Sequence, residues 1–166
     1  MAHGYALTIT VGRHFHLGKG RAPPLRGGMR VPCVVWAPGR IKAGSDSDEM
    51  MSTIDPLPTF SSLAGVKLKT KGPIDGLDQS ALLLGKGSSA RKEFLYYTRE
   101  VQAIRQGNYK LRKTGKSVLL YDLSKDIGEK QNLVSQKPEL TQKLLTRMNQ
   151  LDHEVTKGMR PIGTLD

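Results

Sequence analysis

Several things are scarce or missing in this sequence. It has a single cysteine, Cys33, so no internal disulfide can form and a cysteine-rich zinc site is excluded. One Trp, five Tyr and three Phe leave few rings on which nucleic-acid bases could stack. No apolar run approaches the ~20 residues that a membrane-spanning helix needs, so no membrane partner is expected. No apolar core follows a basic start at the N-terminus, so no signal peptide is expected. Acidic residues are absent until Asp46.

What is there suffices for one domain, or one and a half, with a modest core: 166 residues, 37% of them hydrophobic. The net charge of +11 is unevenly placed. Arg13, Lys19, Arg21, Arg26, Arg30, Arg40 and Lys42 precede the first acid. The rest of the chain carries 19 basic and 15 acidic residues, an ordinary balance. Such a head suits an anionic ligand, and equally a solvated tail.

Residues 1–28 show no sustained periodicity and read as a basic irregular head, with one short strand at Tyr5–Val11. Val31–Trp36 (VPCVVW) is an unbroken apolar run of strand length, which fits a strand covered on both faces. Asp55-Pro56 reads as a helix start, with Asp as N-cap and Pro at the first helical position. Leu57, Phe60, Leu63 and Ala64 follow at helical spacing, and Gly65 is a stop. Residues 66–93 read as a long connection holding a short apolar piece, Ala81–Leu84.

Glu93–Tyr97, Val101–Arg105, Tyr109–Arg112 and Val118–Tyr121 read as an antiparallel meander with one face wet. Its turns fall at Gln106-Gly107-Asn108 and Lys113–Lys116. From Pro138 the clearest helix begins. Leu140, Leu144, Met148, Leu151 and Val155 make one stripe along it, and Gly158 is its stop. Each such side chain, fully buried, contributes roughly 1.5–3 kcal/mol. Meander plus helix is a small α+β unit. The organisation expected is a head at 1–28, an α/β part at 29–92, an α+β part at 93–158 and a tail at 159–166.

Residues with chemical potential are few. Gly18-Lys19-Gly20 sets a lysine between two glycines, suiting close backbone approach to a phosphate or sulfate oxygen, though without Walker A spacing. His14 and His16 would share one side of a strand, as two metal ligands should, but no third ligand lies near. Cys33 sits in an apolar strand, where burial raises a thiol pKa, and reads as a small buried hydrophobe. Asp46, Asp48 and Glu49 lack EF-hand spacing and read as a solvated loop. Asp122, Asp126 and Glu129 read as turn chemistry. His153 reads as a packing or surface residue on the last helix. No complete catalytic constellation emerges.

Five segments, in order, resemble the C-terminal part of sulfatases of the arylsulfatase type. Gly27-Gly28-Met29-Arg30-Val31-Pro32 with Trp36-x-Pro38-Gly39 is similar to that family's GG-x-R-x-P…WPG. Ser52-Thr53-Ile54-Asp55-Pro56-Leu57-Pro58-Thr59 with Leu63-Ala64-Gly65 is similar to D-x-x-PT…LAG. Asp75-Gly76-Leu77-Asp78 with Leu82–Gly85 resembles DG-x-D/S…LL-x-G. Ala103-Ile104-Arg105-x-Gly107-x-Tyr109-Lys110-Leu111 resembles AVR-x-G-x-WKL. Leu120-Tyr121-Asp122-Leu123, then Asp126-x-Gly128-Glu129 and Asn132-Leu133, resembles LYDL…D-x-GE…NL.

The resemblance implies the last strand and helix of an alkaline-phosphatase-like α/β domain, followed by a small antiparallel sheet packed by a C-terminal helix. It implies hydrolysis of sulfate esters by a formylglycine nucleophile, with calcium as the cofactor of the full-length family. The C/S-x-P-x-R motif that supplies the nucleophile is absent, and Cys33 is followed by Val-Val-Trp. So no catalytic residue, metal ligand or cofactor is expected within this chain. Lys19 matches the family's sulfate-contacting lysine in a GKG…GG stretch, with six residues before Gly27 where four are usual. A second alignment sets Pro24–Gly28 on an earlier PLRGG, and Lys19 then matches nothing.

The expectation is a sulfatase C-terminal fragment, inactive alone, that meets a sulfate ester substrate only together with the missing N-terminal part. The alternative is a non-catalytic module holding sulfated polysaccharide or another polyanion by its basic head. Nucleic acid is not expected as a partner. Family members are mostly exported or lysosomal.

Overall fold

The computed structural model describes residues 32–70, 72–97 and 100–159, together with the backbone of Ala6–Ile9. The described residues divide into two compact units, the first ending at Lys92 and the second beginning at Glu93.

In the first unit, β1 (Ala6–Ile9) lies between β2 (Cys33–Trp36) and β3 (Asp46–Ser47). It runs antiparallel to β2, with Ala6 opposite Trp36, and parallel to β3, with Thr8 opposite Asp46. The expected two-sided burial of β2 does not hold. Cys33, Val35 and Ala37 pack inward, while Val34 and Trp36 are exposed. Side chains alternate across a strand, and only one face of this short sheet has a packed partner among the described residues. That partner is built from Ile41, Met51, Leu63, Leu83 and Leu84.

Helix α1 (Pro56–Leu63) starts where the proline signal placed it, and Gly65 follows it at φ +68° as a left-handed stop. The apolar piece at 81–84 is more than connection. It forms a one-turn helix, α2 (Ser80–Leu83), whose Leu82 and Leu83 are buried.

The second unit is a four-stranded sheet, β4 (Glu93–Tyr97), β5 (Val101–Gln106), β6 (Tyr109–Thr114) and β7 (Ser117–Asp122). All its pairings are antiparallel, and spatial order equals chain order. One row of side chains, Leu95, Ile104, Leu111 and Leu120, crosses all four strands in register. Helix α3 (Pro138–Lys157) seats Leu144 and Met148 in the same core. Leu140 and Leu151 border it. Val155 lies outside, 47% exposed, although the stripe runs through it. Gly158 ends α3 in a right-handed conformation at φ −85°.

The sheet face away from this row is not simply wet, contrary to the sequence expectation. Ala103, Lys110 and Tyr121 on it are buried. The segment after β7 turns back beside that edge strand, where Leu133 N–H donates to the Leu120 carbonyl at 2.8 Å and Asn132 Oδ1 accepts from Leu120 N–H, and it sends Glu129 to Lys110 on this face.

Candidate functional site

Lys19, His14 and His16 lie outside the described residues, so the structure tests none of them. Cys33 is half-buried on β2, and burial pushes its thiol above the ordinary value. A thiol so placed is packing rather than nucleophile. His153 is exposed on α3.

The acidic groups singled out by sequence do local work. Glu49 accepts from Ser89 N–H at 3.1 Å. Asp122 accepts from the Ser124 N–H and hydroxyl, and Asp126 accepts from the Lys130 and Gln131 N–H groups. Glu129 departs from the turn reading: its carboxylate is buried and pairs with Lys110.

The most elaborate polar site sits in the first unit around Asp55, whose side chain is wholly buried. Asp55 stands at the N-cap of α1, but its backbone is already helical and its carboxylate caps nothing in that helix. It turns away instead. Ser52 and Leu77 N–H groups donate to it at 2.8 and 2.9 Å, Gln79 Nε2 at 3.2 Å and Arg91 Nε at 3.1 Å. Arg91 Nη2 completes a two-pronged ion pair and also donates to the Asp75 carbonyl. Gln79 Oε1 in turn accepts from the Ser89 hydroxyl and Ala90 N–H, and Thr59 Oγ1 accepts from Gln79 N–H.

This network draws the segments around 55, 77–79 and 89–91 together. Gly76 fits the same seam. A Cβ there would stand 2.2 Å from the Ile54 carbonyl oxygen, so only glycine allows the approach. Burial alone raises the Asp55 pKa, but the Arg91 guanidinium and the two N–H donors outweigh it and hold the carboxyl below its usual value. An ionised carboxylate with its lone pairs occupied is neither acid nor base for a substrate.

Two further clusters belong to the second unit. Lys110 Nζ lies 2.8 Å from Glu129 Oε1 and 4.8 Å from the Tyr96 ring centroid. Glu129 holds this position at φ +53°. Among the described residues its Oε2 is buried without a hydrogen-bond partner. On the helix side, Arg147 grips Glu93 through Nε and Nη2. That bond is the chief reason the Glu93 carboxyl is lowered. Tyr97 donates its hydroxyl to Asp152 at 2.7 Å, and burial followed by that carboxylate pushes its pKa up to about 12.

These arrangements fasten a scaffold. Among the described residues no group of three or more His, Cys, Asp or Glu is placed to hold a metal ion. The two most buried carboxylates, Asp55 and Glu129, are committed to Arg91 and Lys110.

Sequence reasoning missed Arg91, Gln79 and Lys110 as partners. One signal was available for the first. Arg91 is the only arginine between Arg40 and Arg99, the natural counter-charge for a buried acid in that stretch.

Residues 25–154 match the family model described as N-sulphoglucosamine sulphohydrolase, C-terminal. The chain belongs to this sulfatase C-terminal family. Human arylsulfatase A is 34% identical to it over 161 residues, covering 80% of this chain and 31% of that protein. Rat steryl-sulfatase is 42% identical over 78 residues. Among solved structures, the sulfatase PsFucS1 from Pseudoalteromonas sp. superposes with a TM-score of 0.72 at 24% identity, covering 83% of this chain and 32% of that one.

The chain thus spans about a third of the length of the curated relatives it first matches. Its sheet and closing helix are the sulfatase C-terminal architecture, on the alkaline-phosphatase-like fold that the resemblance implied. No helix among the described residues is long and apolar enough to cross a membrane.

Proposed function

We propose that this sulfatase C-terminal region is the scaffold portion of a sulfuric ester hydrolase and does not turn over substrate by itself. The observation that carries this is a mismatch within one chain. The family match spans residues 25–154, yet the sequence holds no C/S-x-P-x-R motif and its described acids make no metal-holding group. The nucleophile and the calcium ligands then belong to polypeptide equivalent to the two-thirds of arylsulfatase A that this chain does not match.

Within this chain, the residue offered to substrate is Lys19. Its ammonium between two glycines would donate to a sulfate oxygen and offset its charge. The test is an assay of the purified chain on an aryl sulfate with added calcium. Background hydrolysis is the expected result, and turnover above background overturns the proposal.

The charge asymmetry favours one second reading. Seven basic residues precede the first acid, four of them within residues 1–28, so the head would hold a sulfated polysaccharide without catalysis. Salt-sensitive retention on heparin, lost when residues 1–28 are removed, supports that reading. Retention unchanged by the deletion rejects it.

A further inference from the structure

Asp55-Pro56 is the only Asp-Pro pair in the chain. Such a pair has a chemistry of its own. A free aspartate oxygen can attack the carbonyl carbon of its own residue, since the two sit in one side chain and close a five-membered ring. Proline makes the bond a weak one. Its nitrogen belongs to a tertiary amide without an N–H and leaves readily once it takes a proton.

In the fold both carboxylate oxygens are occupied. Oδ1 accepts from Leu77 N–H at 2.9 Å and from Arg91 Nη2. Oδ2 accepts from Ser52 N–H at 2.8 Å, Arg91 Nε at 3.1 Å and Gln79 Nε2 at 3.2 Å. The backbone carbonyl that would be attacked is fixed as well. It accepts from Thr59 N–H at 3.1 Å and from the Thr59 hydroxyl at 2.7 Å. Asp55 and Thr59 are wholly buried, so the water needed to finish a hydrolysis is kept out. Acids on the neighbouring segments bond elsewhere, Glu49 to Ser89 N–H and Asp78 to Ser80 N–H. Among the described residues, Arg91 is the charged side chain that grips Asp55.

We infer that Asp55–Pro56 is a self-cleavage site that the fold holds closed through the Arg91 grip and that opens in mild acid once the first unit unfolds. The step balances with water alone. An Asp55 side-chain oxygen bonds to the Asp55 carbonyl carbon. The bond to the Pro56 nitrogen breaks, and that nitrogen takes a proton and leaves as a secondary amine. The cyclic anhydride left on Asp55 adds one water and becomes two carboxyl groups. The products are residues 1–55 and 56–166, so the cut falls inside the first unit, between β3 and α1. A chain that has lost the grip in acid is thereby severed at one defined bond.

The test incubates the full chain at pH 3.8, where an unfolded aspartate is half ionised, or at the lowest pH above it at which circular dichroism shows the chain folded. Mass spectrometry follows the fragments 1–55 and 56–166 in buffer and in concentrated urea at the same pH. Cleavage in buffer should be slower by about tenfold or more, because it waits on opening of the fold. Equal rates in buffer and urea overturn the inference.

Two variants assign the parts. D55N in urea should lose the cut, and a cut retained at this bond would mean that another group makes it. R91K keeps the charge but replaces a two-pronged grip by a single point, so the folded variant should cleave faster than the wild type. A folded R91K that cleaves at the wild-type rate also overturns the inference, and the comparison of buffer with urea decides the matter whether or not R91K folds.

Discussion

The Asp55 carboxylate and the Arg91 guanidinium, 36 residues apart in sequence, meet in a buried two-pronged ion pair. Removing one partner strands the other. R91M is expected to destabilise the chain by about 3–5 kcal/mol in urea unfolding, because a buried carboxylate is left without its cation. D55N/R91M, with no charge left to strand, should recover more than half of that loss. A double variant as unstable as R91M would contradict this account.

The same pair sets a pH dependence. The folded pKa of Asp55 lies below its ordinary value of 3.8. Its contribution is therefore present above pH 3.8 and is lost as pH falls through the folded value. In urea unfolding followed against pH, D55N should flatten the acid limb of the stability curve. An acid limb as steep as in the wild type would assign the loss to other carboxylates.

Lys110 and Glu129 provide a second test, in the C-terminal unit. Glu129 Oε2 already lacks a partner among the described residues, so K110M leaves the carboxylate with almost nothing. A loss of about 3–5 kcal/mol is expected, eased when E129Q removes the charge as well. Urea unfolding of K110M and K110M/E129Q measures both.

Tyr97 should ionise late. Its folded pKa is about 12 against an ordinary 10.0. The stability it contributes is complete below pH 10.0 and is lost as pH rises through about 12. In an alkaline titration followed by phenolate absorbance, D152N should bring this transition down and Y97F should delete it. A late transition unchanged in Y97F would place it on another tyrosine.

Along α3, substitutions should divide by position. L144A and M148A each empty a fully buried site and should cost about 2–5 kcal/mol. V155A, on the same stripe but exposed, should change stability by less than about 0.5 kcal/mol. Thermal melts of the three variants decide it, and a V155A loss as large as that of L144A would contradict the packing.

The elements easiest to read were those whose signal is local. The meander was announced by its turns, with Gly107 and Gly115 both at positive φ in two-residue connections. The last helix was announced by its leucine spacing. Val155 misled because the spacing continues beyond Leu151, where the core ends. β2 misled for a different reason. VPCVVW records what its side chains prefer, whereas burial also depends on a covering surface being there.

The candidate sites were harder to read. A buried acid finds its partner through tertiary structure, and nothing in the spacing of Asp55 and Arg91 announces their meeting. Lys110 alternates in a strand as a solvent-facing residue would, yet Glu129 reaches it from a loop 19 positions on. Lys19, the one substrate-facing candidate, lies outside the described residues.

The chain-order arrangement β4-β5-β6-β7 has a kinetic consequence. Each pairing closes a short hairpin, so little loop entropy is lost before contacts form, and a hairpin of this kind zips in roughly 1–10 μs. In the first unit, β1 must instead find partners that begin at Cys33 and Asp46, across many intervening residues. Sheets of low contact order assemble faster than those joined over long separations. Of the two sheets, the one that comes later in the chain is the one whose topology lets it settle sooner.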